Sequence, residues 1–225
     1  MNDRCERRKV VEIEPYKYDK FEEKVNAVTH GIGALLSIAA LVLLVVYSSK
    51  SGNPWQIVSV SIFGGTMFLM YFASTLVHAL PEGKWKDLFQ IFDHSSIYLF
   101  IAGSYTPFLL VHLRVDTSIG WVLFGIVWGL ALIGILFKVF FVKRFLILST
   151  LFYILMGWLM IFAWGPLSVS MHETGMLLLI LGGLSYTVGT VFYMWRGFPH
   201  HHAVWHLFVI IGSAFHFFAV FYYVI

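Results

Sequence analysis

Charged residues divide this chain into long stretches that contain none of them. The charge-free runs cover residues 25–49, 51–81, 94–113, 117–137, 145–172, 174–195 and 197–225. Each run is long enough for a helix to cross the hydrocarbon core of a bilayer, which takes about 20 apolar residues. The pattern therefore predicts an all-α membrane protein built as a bundle of seven transmembrane helices. We expect the spans at about 25–49, 54–80, 91–113, 118–137, 145–166, 173–195 and 199–225.

The composition agrees with a membrane protein. Of the 225 residues, 59% are hydrophobic and 12% are charged, whereas soluble domains carry about 25% charged residues. Residues 25–225 are therefore expected to form one membrane domain of a multi-pass protein in the cell membrane. Residues 1–24 are polar and mixed in charge, which predicts a solvated tail. Cys5 is the only cysteine, so the chain can form neither an intrachain disulfide nor a thiolate metal cluster.

The distribution of Lys and Arg predicts the orientation in the membrane. Thirteen of the fifteen fall in the tail or in the alternate loops on its side, and only Lys50 and Arg114 fall on the other side. The positive-inside rule then places the N-terminus in the cytoplasm and, after seven crossings, the C-terminus outside. Because this asymmetry explains the net charge of +3, we expect no nucleic-acid partner.

The last predicted span begins with two histidines four residues apart. His202 and His206 would lie on one face of a helix, a spacing that suits a metal ion. One helix offers two ligands in this way, so a third donor must come from another span. A hydrolytic site would keep a fourth position open for water.

Three further polar residues are expected at the same cytoplasmic depth. Ser74 and His78 are four residues apart at the end of the second span and share a helix face. Asp93 lies at the start of the third span. An ionisable side chain in a membrane span is a functional candidate by default, although a carboxylate this close to the surface could also reach water. Without a metal, the histidines would have to pair with one another.

Other polar residues near these positions are interpreted structurally. Asn26, Thr29 and His30 at the start of the first span suit helix caps and solvent contacts. His94 directly follows Asp93 and is expected to point about 100° away from it on the helix.

Taken together, the motifs resemble the hemolysin III branch of the progestin and adiponectin receptor family. The resemblance covers nearly the whole chain after the tail. It is carried by Glu23-x-x-Asn26-x-x-Thr29-His30, Ser74-x-x-x-His78, Asp93-His-Ser-Ser-Ile-Tyr, Ala102-Gly-Ser-Tyr-Thr-Pro107, and His202-x-x-x-His206 with His216-Phe217.

The resemblance implies a Zn²⁺ ion held by His78, His202 and His206 near the cytoplasmic face. It also implies that Asp93 contacts a zinc-bound water and that Ser74 lies close by. The alkaline ceramidases look distantly related through the same pattern of Ser, Asp and three His, which implies amide hydrolysis.

The chemistry of these residues predicts a zinc-dependent hydrolase for a membrane lipid with an amide or ester bond near its head. Zinc lowers the pKa of a bound water to about 7. Asp93 would accept the proton of that water and pass it to the leaving group, and Ser74 would stabilise the developing oxyanion. The sequence has no His-Glu-x-x-His motif, which disfavours a peptidase.

Two other functions remain open at this point. In the first, zinc is structural and the protein is a membrane sensor or receptor without turnover, in which case Asp93 would bind the metal directly. In the second, which the family name suggests, the protein is a cytolytic pore, although seven apolar spans leave no soluble face for a secreted toxin. The spacing of residues encodes neither the identity of the lipid nor the oligomeric state.

Overall fold

The computed structural model describes residues 18–114 and 118–225, and every regular element in these ranges is helical. The elements are α1 (Lys20–Ser51), α2 (Pro54–Ala79), α3 (Lys84–Pro107), a π-helical turn (Phe108–His112), α4 (Ile119–Phe141), α5 (Leu146–Gly157), a 3₁₀ turn (Leu159–Ala163), α6 (Trp164–Ser170), α7 (Glu173–Met194) and α8 (His201–Tyr223).

Six helical segments in the described ranges are long and apolar enough to cross a membrane. They are α1, α2, α4, the segment Leu146–Ser170 that contains α5 and α6, α7 and α8. The all-helical fold class is thereby confirmed. α3 is 24 residues long but is less apolar than these segments, because polar residues such as Gln90, Asp93 and His94 interrupt it. The seventh crossing and the sidedness of the termini therefore stay predictions. The predicted tail lies mostly outside the described residues, and α1 already begins at Lys20.

Local sequence signals explain where the first helices begin and end. The Asp19 side chain caps α1, and the Asp19 N–H donates to the Glu22 carboxylate, which completes a capping box. Gly52 ends α1 in the left-handed conformation, with φ of 66°, which glycine adopts without steric cost. The Asn53 side chain then caps α2. Because the connection is so short, α1 and α2 are antiparallel neighbours.

The predicted fifth span is a broken helix rather than a continuous one. α5 ends at Gly157, and a 3₁₀ turn leads into α6. The Tyr105 hydroxyl of α3 donates to the Gly157 carbonyl at 2.6 Å and accepts the Met160 N–H at 3.0 Å. Backbone groups inside a membrane need protein partners because lipid offers none. One side chain of α3 thus satisfies groups that the break leaves without a helical partner.

Contacts at the two ends of the bundle show that α3, with the π-helical turn after it, extends from one end of the bundle to the other. At one end, Lys143 after α4 bonds Asp87 in the first turn of α3 at 2.7 Å. At the other end, His112, the last residue of the π-helical turn that follows α3, bonds the Tyr223 carbonyl at the end of α8 at 2.8 Å. We call the first of these the site end; α1, α3 and α8 begin there, and α2 and α4 end there.

A glycine allows α1 and α2 to approach closely. A Cβ atom at Gly64 would lie 3.0 Å from Leu41 Cβ and 3.1 Å from Leu41 Cα. Small residues permit such approaches between helices in lipid. The close pairing of α1 with α2 matters for function because both helices contribute to the site described below.

We expect Gly64→Ala to destabilise the protein by about 1–3 kcal/mol, the usual cost of overpacking. The added methyl group would push against the backbone of α1, which cannot move aside as a flexible side chain can. Gly65→Ala is the matched control, because a Cβ atom there would meet nothing within 4 Å. Thermal denaturation in detergent measures the difference. Equal midpoints for the two variants would contradict the close approach.

Candidate metal centre

Three histidines converge at the site end. His78 lies in the last turn of α2, and His202 and His206 lie in the first two turns of α8. One ring nitrogen from each lies within 4.8 Å of the others, and the Nε2 atoms of His78 and His202 are 3.2 Å apart. The residues are 9%, 7% and 0% exposed, respectively. The structure thus brings together the three histidines that the sequence singled out as metal ligands.

One segment at the start of α1 supplies an outer partner for each of the three rings. The partner atoms are a phenol, a carboxylate and an alcohol, and each contacts a ring at Nδ1. The three contacts are Glu23–His78 at 2.6 Å, Tyr18–His202 at 2.8 Å and Thr29–His206 at 2.9 Å. The Nε2 atoms are therefore left to face one another.

The outer partners determine which ring nitrogen carries the proton. A neutral imidazole donates from one nitrogen and accepts at the other. An ionised Glu23 carboxylate can only accept, so His78 Nδ1 donates to it. The Thr29 hydroxyl donates its own proton to backbone carbonyls one turn earlier, at 2.9 and 3.0 Å, and it therefore accepts from His206 Nδ1. Both rings then direct an Nε2 lone pair towards the centre of the cluster.

Tyr18 covers the cluster at the end of the bundle. Its ring centroid lies 4.9 Å from that of His202 and 5.8 Å from that of His78. Burial raises the pKa of Tyr18, so its hydroxyl keeps its proton through the neutral range. A neutral phenol can accept a hydrogen bond from His202 Nδ1, which leaves the third Nε2 lone pair directed at the other two.

This donor set fits a metal ion that binds neutral imidazole. Buried lone pairs that face one another are unfavourable unless a cation or proton lies among them, and His206 Nε2 has no hydrogen-bond partner among the described residues. Ligands 2.0–2.1 Å from a tetrahedral zinc ion lie about 3.3 Å apart, close to the 3.2 Å between His78 and His202. Histidines whose second nitrogen is held by an outer partner are typical of metal sites.

Ser74 is connected to the cluster through the ring of His30. Its hydroxyl is 2.6 Å from His30 Nδ1, and the His30 ring stacks on His206 with centroids 3.4 Å apart. His30 and Asn26 are both 0% exposed. The interpretation of these two residues as caps and solvent contacts was wrong: α1 turns its polar face into the bundle, where α2 and α8 cover it.

Asp93 is buried at the site end but lies outside the three-donor group. Within the described ranges that group holds three histidines and no carboxylate. Asp93 Oδ2 lies 3.5 Å from His94 Nδ1, so the expectation that His94 points away from Asp93 was wrong. The His94 ring turns back along α3 to bond the Gln90 carbonyl at 2.9 Å, and this rotation brings it beside the carboxylate.

An apolar cavity of about 490 Å³ lies between α3, α5, α7 and α8. Its wall on the side of the histidines includes Tyr193 and Trp205. The rings of these residues contact His202, with centroids 5.9 and 4.8 Å away. The rings of Tyr193 and Trp205 therefore separate the cavity from the histidine cluster.

Comparison with known proteins identifies the family. The model of the family described as "Haemolysin-III related" matches residues 18–217. The chain belongs to this family. It is 55% identical over 202 residues to a protein named "Hemolysin-3 homolog" of Bacillus subtilis (strain 168), which covers 90% of this chain and 94% of that protein.

The chain is also similar to a second Bacillus protein and, at lower identity, to an animal protein. "Hemolysin-3" of Bacillus cereus is 52% identical over 204 residues, which cover 91% of this chain and 92% of that protein. "Monocyte to macrophage differentiation factor" of Homo sapiens is 30% identical over 215 residues, covering 91% of this chain and 85% of that protein. The similarity in each case extends over most of both chains.

Sequence reasoning missed the contacts of Tyr18, Glu23 and Thr29 with the three rings. One signal was available: Glu23, Asn26 and Thr29 recur every three residues and so lie along one stripe of a helix. A polar stripe at the start of an apolar helix indicates a buried polar contact as well as it indicates a solvated cap. Only the position of α8, which covers this stripe, distinguishes a buried polar contact from a solvated cap.

We expect zinc to stabilise the chelator-treated protein through this cluster. At a free zinc concentration of 100 times Kd, binding to the folded state alone adds about 2.7 kcal/mol to the unfolding free energy. His202→Ala should abolish the zinc-dependent rise in thermal midpoint. His172→Asn is the control, because His172 lies at the far end and caps α7, a role that Asn can fill. A rise that persists in His202→Ala would place the zinc elsewhere.

Proposed function

We propose that the protein is a zinc-dependent hydrolase that cleaves an amide or ester bond in a membrane lipid. The observation that carries the proposal is the convergence of three buried imidazoles with their Nδ1 atoms held from outside. His78, His202 and His206 are the proposed ligands. Three protein ligands leave one position open, as in catalytic zinc sites.

When bound, zinc would supply the Lewis acidity that makes a water nucleophilic near neutral pH. Asp93 is the proposed general base: it is 9% exposed, lies at the site end, and can take a proton and return it to the leaving amine or alcohol. Ser74 is the proposed donor to the developing oxyanion. If His30 Nδ1 donates to Ser74 Oγ, the Ser74 proton is left free for that role.

The cavity supports a lipid as substrate. Its walls are almost entirely apolar and aromatic, and it lies between helices rather than at the site end. A hydrocarbon chain in this cavity would have its head near Tyr193 and Trp205, beside His202. An amide or ester near the head group would then lie one layer of aromatic side chains from the proposed metal, and the chain would be kept out of water.

We further propose seven crossings of the cell membrane, with the N-terminus in the cytoplasm and the C-terminus outside. α3 runs from the site end to the opposite end beside helices that are apolar enough to cross. The site end then faces the cytoplasm, in agreement with the excess of Lys and Arg on that side.

The main rival is a zinc-stabilised sensor or receptor without turnover. A closed structural site has four protein ligands, and the separation of Asp93 from the three-donor group favours the open, catalytic alternative.

The names of the two Bacillus relatives suggest a second rival, a cytolytic pore. Leakage of dye from vesicles that contain the purified protein, undiminished by His78→Ala, would support the pore.

The hydrolase predicts fatty-acid release from N-acyl lipid amides or the corresponding esters by purified protein. Asp93→Asn should lower the rate by about 10²- to 10⁴-fold and Ser74→Ala by about 10²- to 10³-fold, while His78→Ala should abolish turnover. Mass spectrometry of the released acid measures each rate, with His172→Asn as the control. Wild-type protein that binds zinc but releases no acid from either lipid class would favour the sensor.

The topology predicts which introduced cysteines a membrane-impermeant thiol reagent can reach. In a Cys5→Ser background, Ser51→Cys should be labelled in intact cells, whereas Glu82→Cys and Lys143→Cys should be labelled only after permeabilisation. Lys143 is decisive because it follows α4. If α3 did not cross, Lys143→Cys would lie opposite to Glu82→Cys and would react in intact cells.

A further inference from the structure

We propose that Glu23 is a positioning residue of the metal centre, which holds the ligand His78 and is itself held by Lys86 at the start of α3. The proposal rests on metal binding at the three-histidine cluster. Glu23 need not touch substrate or metal; its role is to orient the ligand ring.

Each carboxylate oxygen of Glu23 has its own partner. Oε2 accepts from His78 Nδ1 at 2.6 Å, and Oε1 accepts from Lys86 Nζ at 2.6 Å. The three side chains come from α1, α2 and α3. Both contacts are as short as charge-assisted hydrogen bonds, so the carboxylate has little freedom to rotate.

This small network is shielded from water. The side chains of His78, Glu23 and Lys86 are 7%, 18% and 17% exposed. Charged groups gain more from each other in such a place than on an open surface, and the loss of one partner costs more. Water is therefore a poor substitute for the Glu23 carboxylate.

Glu23 differs in charge from the other two outer partners. Tyr18 and Thr29 present hydroxyl groups, whereas Glu23 presents a carboxylate. A carboxylate that accepts the Nδ1–H of a ligating histidine fixes the tautomer and makes Nε2 a stronger donor to the metal. Among the three ligands, His78 is the one that gains both effects.

Lys86 extends the same network towards the proposed general base. It lies in the first turn of α3, seven residues before Asp93, which is about 10 Å along a helix. Glu23 thereby links the end of α2, which carries a ligand, to the helix that carries Asp93. Removal of Lys86 should loosen Glu23 and, through it, His78.

The test is the zinc affinity of purified protein, measured by competition with a chelator. Loss of an outer-shell partner typically weakens metal binding by about 10- to 100-fold, and we expect Glu23→Ala to fall in this range. Glu23→Gln keeps an oxygen acceptor without the charge and should lie between Glu23→Ala and wild type. Lys86→Met should weaken binding less than Glu23→Ala and should add nothing in the Glu23→Ala background.

The control is Glu82→Gln. Glu82 also pairs with Lys86, at 3.3 Å, but its side chain is 90% exposed, so its loss should leave zinc affinity unchanged. A purely structural role for Glu23 would lower the thermal midpoint of the metal-free protein without changing zinc affinity. The visible absorption of bound Co²⁺, which reports ligand geometry, should change in Glu23→Ala and not in Glu82→Gln.

The outcomes separate this inference from the function on which it rests. Wild-type affinity in both Glu23→Ala and Lys86→Met overturns the positioning role while the metal site stands. If Glu23→Ala does not fold, unchanged affinity in Lys86→Met and Glu23→Gln overturns it equally. Absence of zinc binding by the wild type rejects the metal centre itself.

Discussion

Six ring nitrogens of three histidines need partners in a part of the protein that is largely buried from bulk water. The start of α1 provides for three of the six, through Tyr18, Glu23 and Thr29. The other three face one another, within 4.8 Å. An arrangement of this kind is costly for an apolar core to contain, and a bound metal ion removes the cost. The rest of the site end is arranged around this requirement.

The requirement explains why α1 carries polar residues on a helix that otherwise faces lipid. Many of its residues are exposed apolar side chains, yet Asn26 and His30 are fully buried. The short turn between α1 and α2 and the close approach at Gly64 hold the polar face of α1 against His78 on α2. α8 then completes the cluster with His202 and His206 from consecutive turns. Stability and the candidate metal cluster thus depend on the same three helices.

The sequence was sufficient for the helical fold class and for the choice of three histidines. Charge-free runs and the i, i+4 pair of His202 and His206 are local patterns, and the predicted order of the spans put His78 at the same end of the bundle. Features that depend on neighbouring helices were not predictable. Nothing local distinguished a solvated Thr29 from one that bonds His206, and the break after Gly157 is accommodated by Tyr105 of α3. The rotation of His94 towards Asp93 depends on a backbone carbonyl of its own helix, which an ideal helical wheel does not include.

X-ray absorption at the zinc edge of the purified protein tests the central claim most directly. The account predicts one zinc ion with three imidazole nitrogens at about 2.0–2.1 Å and one oxygen ligand. The nitrogen count should fall in the protein with His78→Ala. Protein purified without chelators that holds no zinc and takes none up, or zinc bound by oxygen ligands alone, would contradict it.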